Sequence, residues 1–209
     1  MIIAGAKGFA KELLELLVRD KNMSNIVFFD NINQTIPNKL FKQFNVIKDL
    51  KVLENTNDNQ FCLGVGTPKA RKILFDIFIK HNKKSTTIIA NSSRIGSFGT
   101  EIGEACCIMD YVVITNDVKL GKACLINIGC TIGHDTVIGN FCDISPNVSI
   151  SGKCIIGNNC SIGTGAVIIP NIKIGDNCII GAGTVVTNNI PDNSVVVGVP
   201  GKVIKNNNE

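Results

Sequence analysis

From residue 102 to residue 186, every sixth position is a branched aliphatic: Ile102, Ile108, Ile114, Leu120, Ile126, Ile132, Ile138, Ile144, Ile150, Ile156, Ile162, Ile168, Ile174, Ile180 and Val186. An unbroken period of six is the signature of a parallel β-helix built from hexapeptides. Ile89 and Ile95 extend the series backwards, with one extra residue between Ile95 and Ile102, so the expected coils run from about 88 to about 187. Nothing is inserted between 102 and 186. Recognition of a large substrate must therefore come from elsewhere in the chain or from a neighbouring subunit.

A second column lies two residues before each aliphatic. Side chains two apart on a strand share a face, so both columns are expected to point inward. Seven of the nine cysteines fall in this second column, and Cys106, Cys124, Cys142, Cys160 and Cys178 are spaced by 18, or three hexapeptides. Three strands per coil would stack these five in a ladder about 4.8 Å apart. Cysteine then acts as a small buried hydrophobe. No inward histidines or carboxylates accompany it, so no metal site is expected. Glycines 121, 133, 139, 157, 163, 175 and 181 follow the aliphatic, where the chain is expected to turn between faces.

The remaining composition excludes more than it selects. Trp is absent and the net charge is +4. The lysines are scattered, which does not point to a nucleic-acid footprint. No run reaches the length of a membrane span, and the start lacks the basic and apolar regions of a secretory signal. These features lead to the expectation of a cytoplasmic protein whose cysteines are thiols.

Ahead of the repeats, "MIIAGAKGFAKELLELLVRD" reads as a strand, a glycine turn and an amphipathic helix. "NIVFFD" is a second strand ending at Asp30, and "FCLGVGTPKARKILFDIFIKH" is a third strand, turn and helix. Alternation of this kind implies a small parallel α/β unit. Gly5, Gly8, Gly64 and Gly66 sit at the carboxyl ends of its strands, where phosphates and nucleotides bind. Glycine also simply shortens such turns, and Asp30 is either a nucleotide acceptor or a solvated turn residue.

His134 is one of two histidines. It follows Ile132 by two and so belongs to an outward corner, where a solvated role is the ordinary one. His81 ends a helix, a harmless place for a cation. Next to His134 is Asp135, a partner for one ring nitrogen. Gly152 lies 18 residues on, stacked over the histidine in the next coil. A base beside a bare N–H donor is the minimum equipment for acyl transfer.

The motifs "AGAKGFA", "FFDN", "GVGTPKAR", "GHDTVIGNFCDIS" and "VVVGVPGKVIK" together make the whole chain resemble the sugar O- and N-acyltransferases of the NeuD/PglD type. That resemblance implies an α/β N-terminal domain, Rossmann-like and nucleotide-sugar-binding, over 1–84. A left-handed parallel β-helix carrying the acetyltransferase activity follows over 85–190, and a C-terminal tail over 191–209. It also implies homotrimers and acetyl-CoA as co-substrate, with no metal, nucleic acid or membrane involved. Carried over residue by residue, it makes His134 the general base and Asp135 the acid behind it. Gly152 becomes the N–H donor to the thioester carbonyl, and Asn127 lies near the sugar. Gly5, Ala6, Lys7 and Gly8 hold the nucleotide's phosphates, Asp30 and Asn31 read its base, and Gly66, Thr67 and Arg71 form a second nucleotide-side loop. Gly163, Thr164, Gly181 and Ala182, with the Val-Pro-Gly-Lys tail, mark where coenzyme A runs between subunits.

The chain departs from the family where Phe9 and Asp143 replace common histidines; Asp143 is expected to offer an acceptor in place of a hydrogen-bonding imidazole. The implied activity is acetyl-CoA-dependent N-acetylation of a nucleotide-linked amino sugar in bacterial surface-glycan or glycoprotein-sugar synthesis. O-acetylation of a sialic-acid type sugar and a non-catalytic nucleotide-sugar-binding β-helix are the open alternatives.

Overall fold

The computed structural model describes residues 1–207 except 34 and 57. The chain divides into two compact units: one from Met1–Gly66 and Ala70–Thr87, the other from Thr67–Lys69 and the chain from Ile88 onward.

The first unit is an α/β sandwich. Its elements are β1 (Ile2–Ala4), α1 (Gly8–Lys21), β2 (Val27–Phe29), β3 (Lys39–Leu40), β4 (Phe44–Ile47), α2 (Leu50–Asn55), β5 (Gln60–Leu63), α3 (Pro68–Lys80) and β6 (Lys84–Ser85). The sheet order is β3-β4-β2-β1-β5-β6, parallel throughout except for the β3–β4 hairpin. That hairpin turns on Phe41 and Lys42, both with positive φ, the geometry that matches strand twist in a tight turn. Leu13, Leu16 and Leu17 of α1 are buried, as the apolar stripe of that helix requires. Phe78 of α3 packs on Phe29 and Phe61 with ring centroids 5.3 and 4.6 Å apart. The chain moves from β1 to one side of the sheet through β2 and β4, then returns to the other side through β5. The order thus reverses between β1 and β5, the place where open α/β sheets bind ligands.

The second unit is a left-handed β-helix of three parallel sheets. The first face stacks Ile88–Ile89, Cys107–Ile108, Leu125–Ile126, Asp143–Ile144, Ser161–Ile162 and Ile179–Ile180. The second stacks Arg94–Ile95 through Val185–Val186, and the third Glu101–Ile102 through Lys173–Ile174. Both inward columns are buried and form one continuous core. The first face continues past the repeats: Ser194–Val197 adds a parallel rung, and Lys202–Asn206 pairs back on it antiparallel.

The glycines after the aliphatics have a different reason from the expected one. The left-handed backbone falls two residues later, at Ala105, Tyr111, Asp117 and so on to Gly183, with φ between 55° and 71° at each corner. The glycines themselves are pressed by the next coil. A Cβ on Gly121 would lie 2.7 Å from Gly139 backbone, and one on Gly139 would lie 2.7 Å from Gly157. They are there because successive coils touch backbone to backbone, not because the chain turns.

All nine cysteines are free and buried. In the five-member ladder each thiol also has an acceptor: Cys106, Cys124, Cys142 and Cys160 donate to the carbonyls of Gly121, Gly139, Gly157 and Gly175 at 3.0–3.1 Å, and Cys178 donates to Pro191 O at 3.1 Å. The pattern of apolar columns does not reveal this second role of cysteine.

Candidate active site

His134 stands at the corner between the second and third faces. Its Nδ1 and Asp135 Oδ2 are 2.7 Å apart. Asp135 occupies the left-handed corner position with φ 58°, which Asp tolerates better than most residues, and that backbone turns its carboxylate toward the ring. An Nδ1–H donating to the carboxylate leaves the lone pair on Nε2. The side chains are 63% and 51% exposed, so neither supports the core.

The face of the imidazole, at its Nε2 side, lies over Gly152. A Cβ there would sit 2.7 Å from Nε2 and 2.8 Å from Cε1, so any other residue would displace the imidazole. At the corner between the third and first faces, the N–H groups of Lys122, Asn140, Asn158 and Asp176 are each capped by an Asn or Asp Oδ1 from the following coil, at 2.7–2.9 Å. The Gly152 N–H has no hydrogen-bond partner among the described residues. The residue one coil on is Pro170, which carries no acceptor side chain. Base and donor are thus adjacent, and the donor is unspent.

The other carried-over residues fall elsewhere. Asn127, Gly163, Thr164, Gly181 and Ala182 line the corner between the first and second faces. Asn127 Oδ1 is engaged by the Ile128 N–H at 2.8 Å. A Cβ on Gly163 would lie 2.6 Å from Ala182 N, while Thr164 and Ala182 are exposed. The His134 corner and this corner both flank the second face. Asp143 is outward on the first face, in register with Leu125 and Ser161. In a three-sided prism that face lies opposite the His134 corner. Within one chain, Asp143 and His134 are not brought together, contrary to their closeness in sequence.

In the first unit the two glycine turns meet. Gly5, at φ 125°, donates its N–H to Phe29 O at 2.8 Å, and a Cβ on it would lie 2.7 Å from Gly64 O. A Cβ on Gly64 would lie 2.5 Å from Ile3 Cγ2. Both are packing glycines. Gly8 differs: nothing lies within 4 Å of its Cβ position. It opens α1, whose first turn has no side-chain cap and no acid, while Lys7 is exposed beside it.

Two carried-over residues are more committed to structure than the sequence reading expected. Asp30 is buried; its Oδ1 accepts from the Ile32 and Asn33 N–H groups at 3.2 and 2.9 Å, and both its oxygens accept from Asn33 Nδ2. Arg71 is fully buried, its Nη1 donating to Val65 O at 2.7 Å and Leu63 O at 3.4 Å. It holds the β5–α3 turn that carries Gly66, instead of presenting a charge at its surface. His81 follows α3, 3.0 Å from Glu54.

Residues 1–78 match the family described as the PglD N-terminal domain, and residues 153–188 match the bacterial transferase hexapeptide (six repeats). No curated protein sequence matches the chain. Several solved structures are similar over nearly the whole length. A mutant of perosamine N-acetyltransferase from Caulobacter crescentus, in complex with CoA and GDP-perosamine, superimposes with a TM-score of 0.87 at 26% identity, covering 98% of this chain and 96% of that one. The acetyltransferase domain of PglB from Neisseria gonorrhoeae FA1090, in complex with acetyl coenzyme A, gives 0.87 at 28% identity, covering 97% and 98%. WeeI from Acinetobacter baumannii AYE gives 0.80 at 25% identity, covering 98% and 100%.

Proposed function

The chain belongs to the NeuD/PglD-type sugar acyltransferase family, and we propose on that premise that it transfers the acetyl group of acetyl-CoA to the amino group of a nucleotide-linked amino sugar. The observation that carries the chemistry is the unspent Gly152 N–H beside the Asp135-held imidazole. The sugar's amine attacks the thioester carbonyl and forms the C–N bond. His134 Nε2 takes the proton that the nitrogen loses, and the Gly152 N–H donates to the carbonyl oxygen as it becomes an oxyanion. Collapse breaks the C–S bond, and the imidazolium returns its proton to the departing sulfur. Asp135 keeps the ring in the tautomer with Nε2 free.

The remaining assignments rest on position. The Gly5–Ala6–Lys7–Gly8 turn offers a helix N-terminus with room at Gly8 for a diphosphate. Asn31, with Asp30 shaping its loop, reads the base; Gly66, on the turn that Arg71 supports, closes the other side. Coenzyme A runs along Gly163, Thr164, Gly181 and Ala182. That edge and the His134 edge lie on either side of the second face, so one chain does not bring them together. A homotrimer that joins the first of one copy to the second of the next supplies a complete site, and Asp143 reaches an imidazole only from another copy. Among the described residues no helix is long and apolar enough to cross a membrane, and the cytoplasm, where acetyl-CoA is made and used, is the compartment this reading requires; it involves no metal, nucleic acid or membrane.

Turnover of acetyl-CoA against a panel of nucleotide-linked amino sugars, with free and CMP-linked sialic acid alongside, tests the reading. N-acetylated nucleotide sugar is the expected product. Acetylation of the sialic acids alone would establish O-acetylation instead, and nucleotide-sugar binding with no turnover would establish a binding protein.

A further inference from the structure

The corner that carries His134 differs on its two sides. Toward the C-terminus the next two positions are Gly152 and Pro170, which offer no polar side chain. Toward the N-terminus they are Asn116 and Phe98. Backbone bonds between coils fix this column. The Lys153 N–H donates to His134 O at 2.7 Å, the Asp135 N–H to Asn116 O at 3.3 Å, and the Asp117 N–H to Phe98 O at 2.9 Å. Phe98 enters the column because the segment from Ile95 to Ile102 has one residue more than a hexapeptide. The same break in the repeat leaves its ring 73% exposed. Asn116 is exposed too. Its Oδ1 accepts from the Phe98 N–H at 3.5 Å, and its Nδ2 has no partner among the described residues. Rungs are about 4.8 Å apart, so the amide and the ring lie roughly 5 and 10 Å along the edge from the imidazole, and a pyranose whose amine sits about 3 Å from Nε2 covers roughly the 4–8 Å stretch between them.

We propose that Phe98 and Asn116 form the acceptor-sugar subsite of the His134 edge, an inference that rests on the acetyltransferase reading above. The thioester carbonyl must reach the Gly152 N–H, on the C-terminal side of the imidazole. The amine therefore approaches Nε2 from the N-terminal side, and the rest of its sugar lies over Asn116 and Phe98. The phenyl face stacks on the apolar C–H face of the pyranose, and Asn116 Nδ2 donates to a ring hydroxyl. These two residues set which amino sugar presents its nitrogen to His134.

Steady-state kinetics on the full chain test this, with GDP-perosamine and UDP-linked amino hexoses as acceptors. Phe98→Ala is expected to raise the acceptor KM about tenfold, with the acetyl-CoA KM and the oligomeric state unchanged. Asn116→Asp keeps the oxygen that accepts from Phe98 and removes the donor; it is expected to raise the acceptor KM about fivefold. Wild-type turnover combined with unchanged acceptor KM in both variants overturns the subsite alone. So does an acetyl-CoA KM that rises equally, or a Phe98→Ala protein that dissociates, since either makes Phe98 a subunit contact. Failure of the wild type to acetylate any of the acceptors overturns the acetyltransferase reading and this inference with it.

Discussion

At the scale of single residues, His134 and Gly152 make opposite demands on a substitution. His134→Ala removes a mostly exposed side chain and leaves the coil intact. It is expected to lower kcat by about 10²–10⁴-fold, the usual worth of a positioned base, while light scattering shows the same oligomer and calorimetry the same acetyl-CoA affinity. Near-wild-type turnover would remove His134 from its role. Gly152→Ala adds one methyl where Nε2 stands 2.7 Å away. The imidazole must swing off, so kcat is expected to fall by about 10²-fold, again with the oligomer retained. A fully active Gly152→Ala protein would show that the close approach does not matter.

At the scale of the coil, the buried thiols and one buried hydroxyl contrast. Burial pushes the Cys130 thiol up to about 11, and the neighbouring Cys124 thiol, with burial, pushes Cys106 up as well. A raised thiol pKa keeps the group neutral and unreactive until the pH passes the folded-state value. Cys160 goes the other way, pulled down to about 4 by the Cys142 and Cys178 thiols beside it, but every thiol is buried, so native protein at pH 8 is expected to react with thiol reagents far more slowly than unfolded protein. Mass spectrometry finding a native disulfide in the ladder would contradict this. Cys142→Ala loses a small volume and the bond to Gly157 O and is expected to cost roughly 1–2 kcal/mol in chemical denaturation, without loss of chemistry. Thr184 sits in the same inward column, 1% exposed, and its hydroxyl has no partner among the described residues. Thr184→Val is expected to raise stability by about 1 kcal/mol by removing an unsatisfied group; a lowered denaturation midpoint would mean the hydroxyl has a bonded role.

At the scale of the whole molecule, the proposed reading gives each of the two units its own recognition task. The coils carry no inserted loop, whereas the sheet of the first unit reverses its order between β1 and β5, with a glycine turn at the end of each. A fragment beginning at residue 85 is expected to remain an oligomer that binds acetyl-CoA and to lose the nucleotide sugar. Calorimetry on fragment and full chain decides it, and equal nucleotide-sugar affinity in both would refute the assignment.

The prism was legible in the sequence because a period of six leaves little freedom: each aliphatic must be buried, and its column position follows by counting. The pairing of His134, Asp135 and Gly152 was legible for the same reason, since residues 18 apart stack. The β3–β4 hairpin and α2 went unread, because short segments rich in Asn and Lys carry too few apolar residues to set a period, though Phe44 and Val46 do alternate. The roles of Arg71 and Asp30 were decided only by the fold, since burial and hydrogen-bond partners depend on which backbone groups the turns bring near. The reason for the glycines was decided there too, because it lies in the distance between coils and not in the conformation of one residue. So was the separation of Asp143 from His134: nine residues carry the chain around half of a closed coil, and a count along the sequence measures that path but not the opposite directions in which the two side chains leave it.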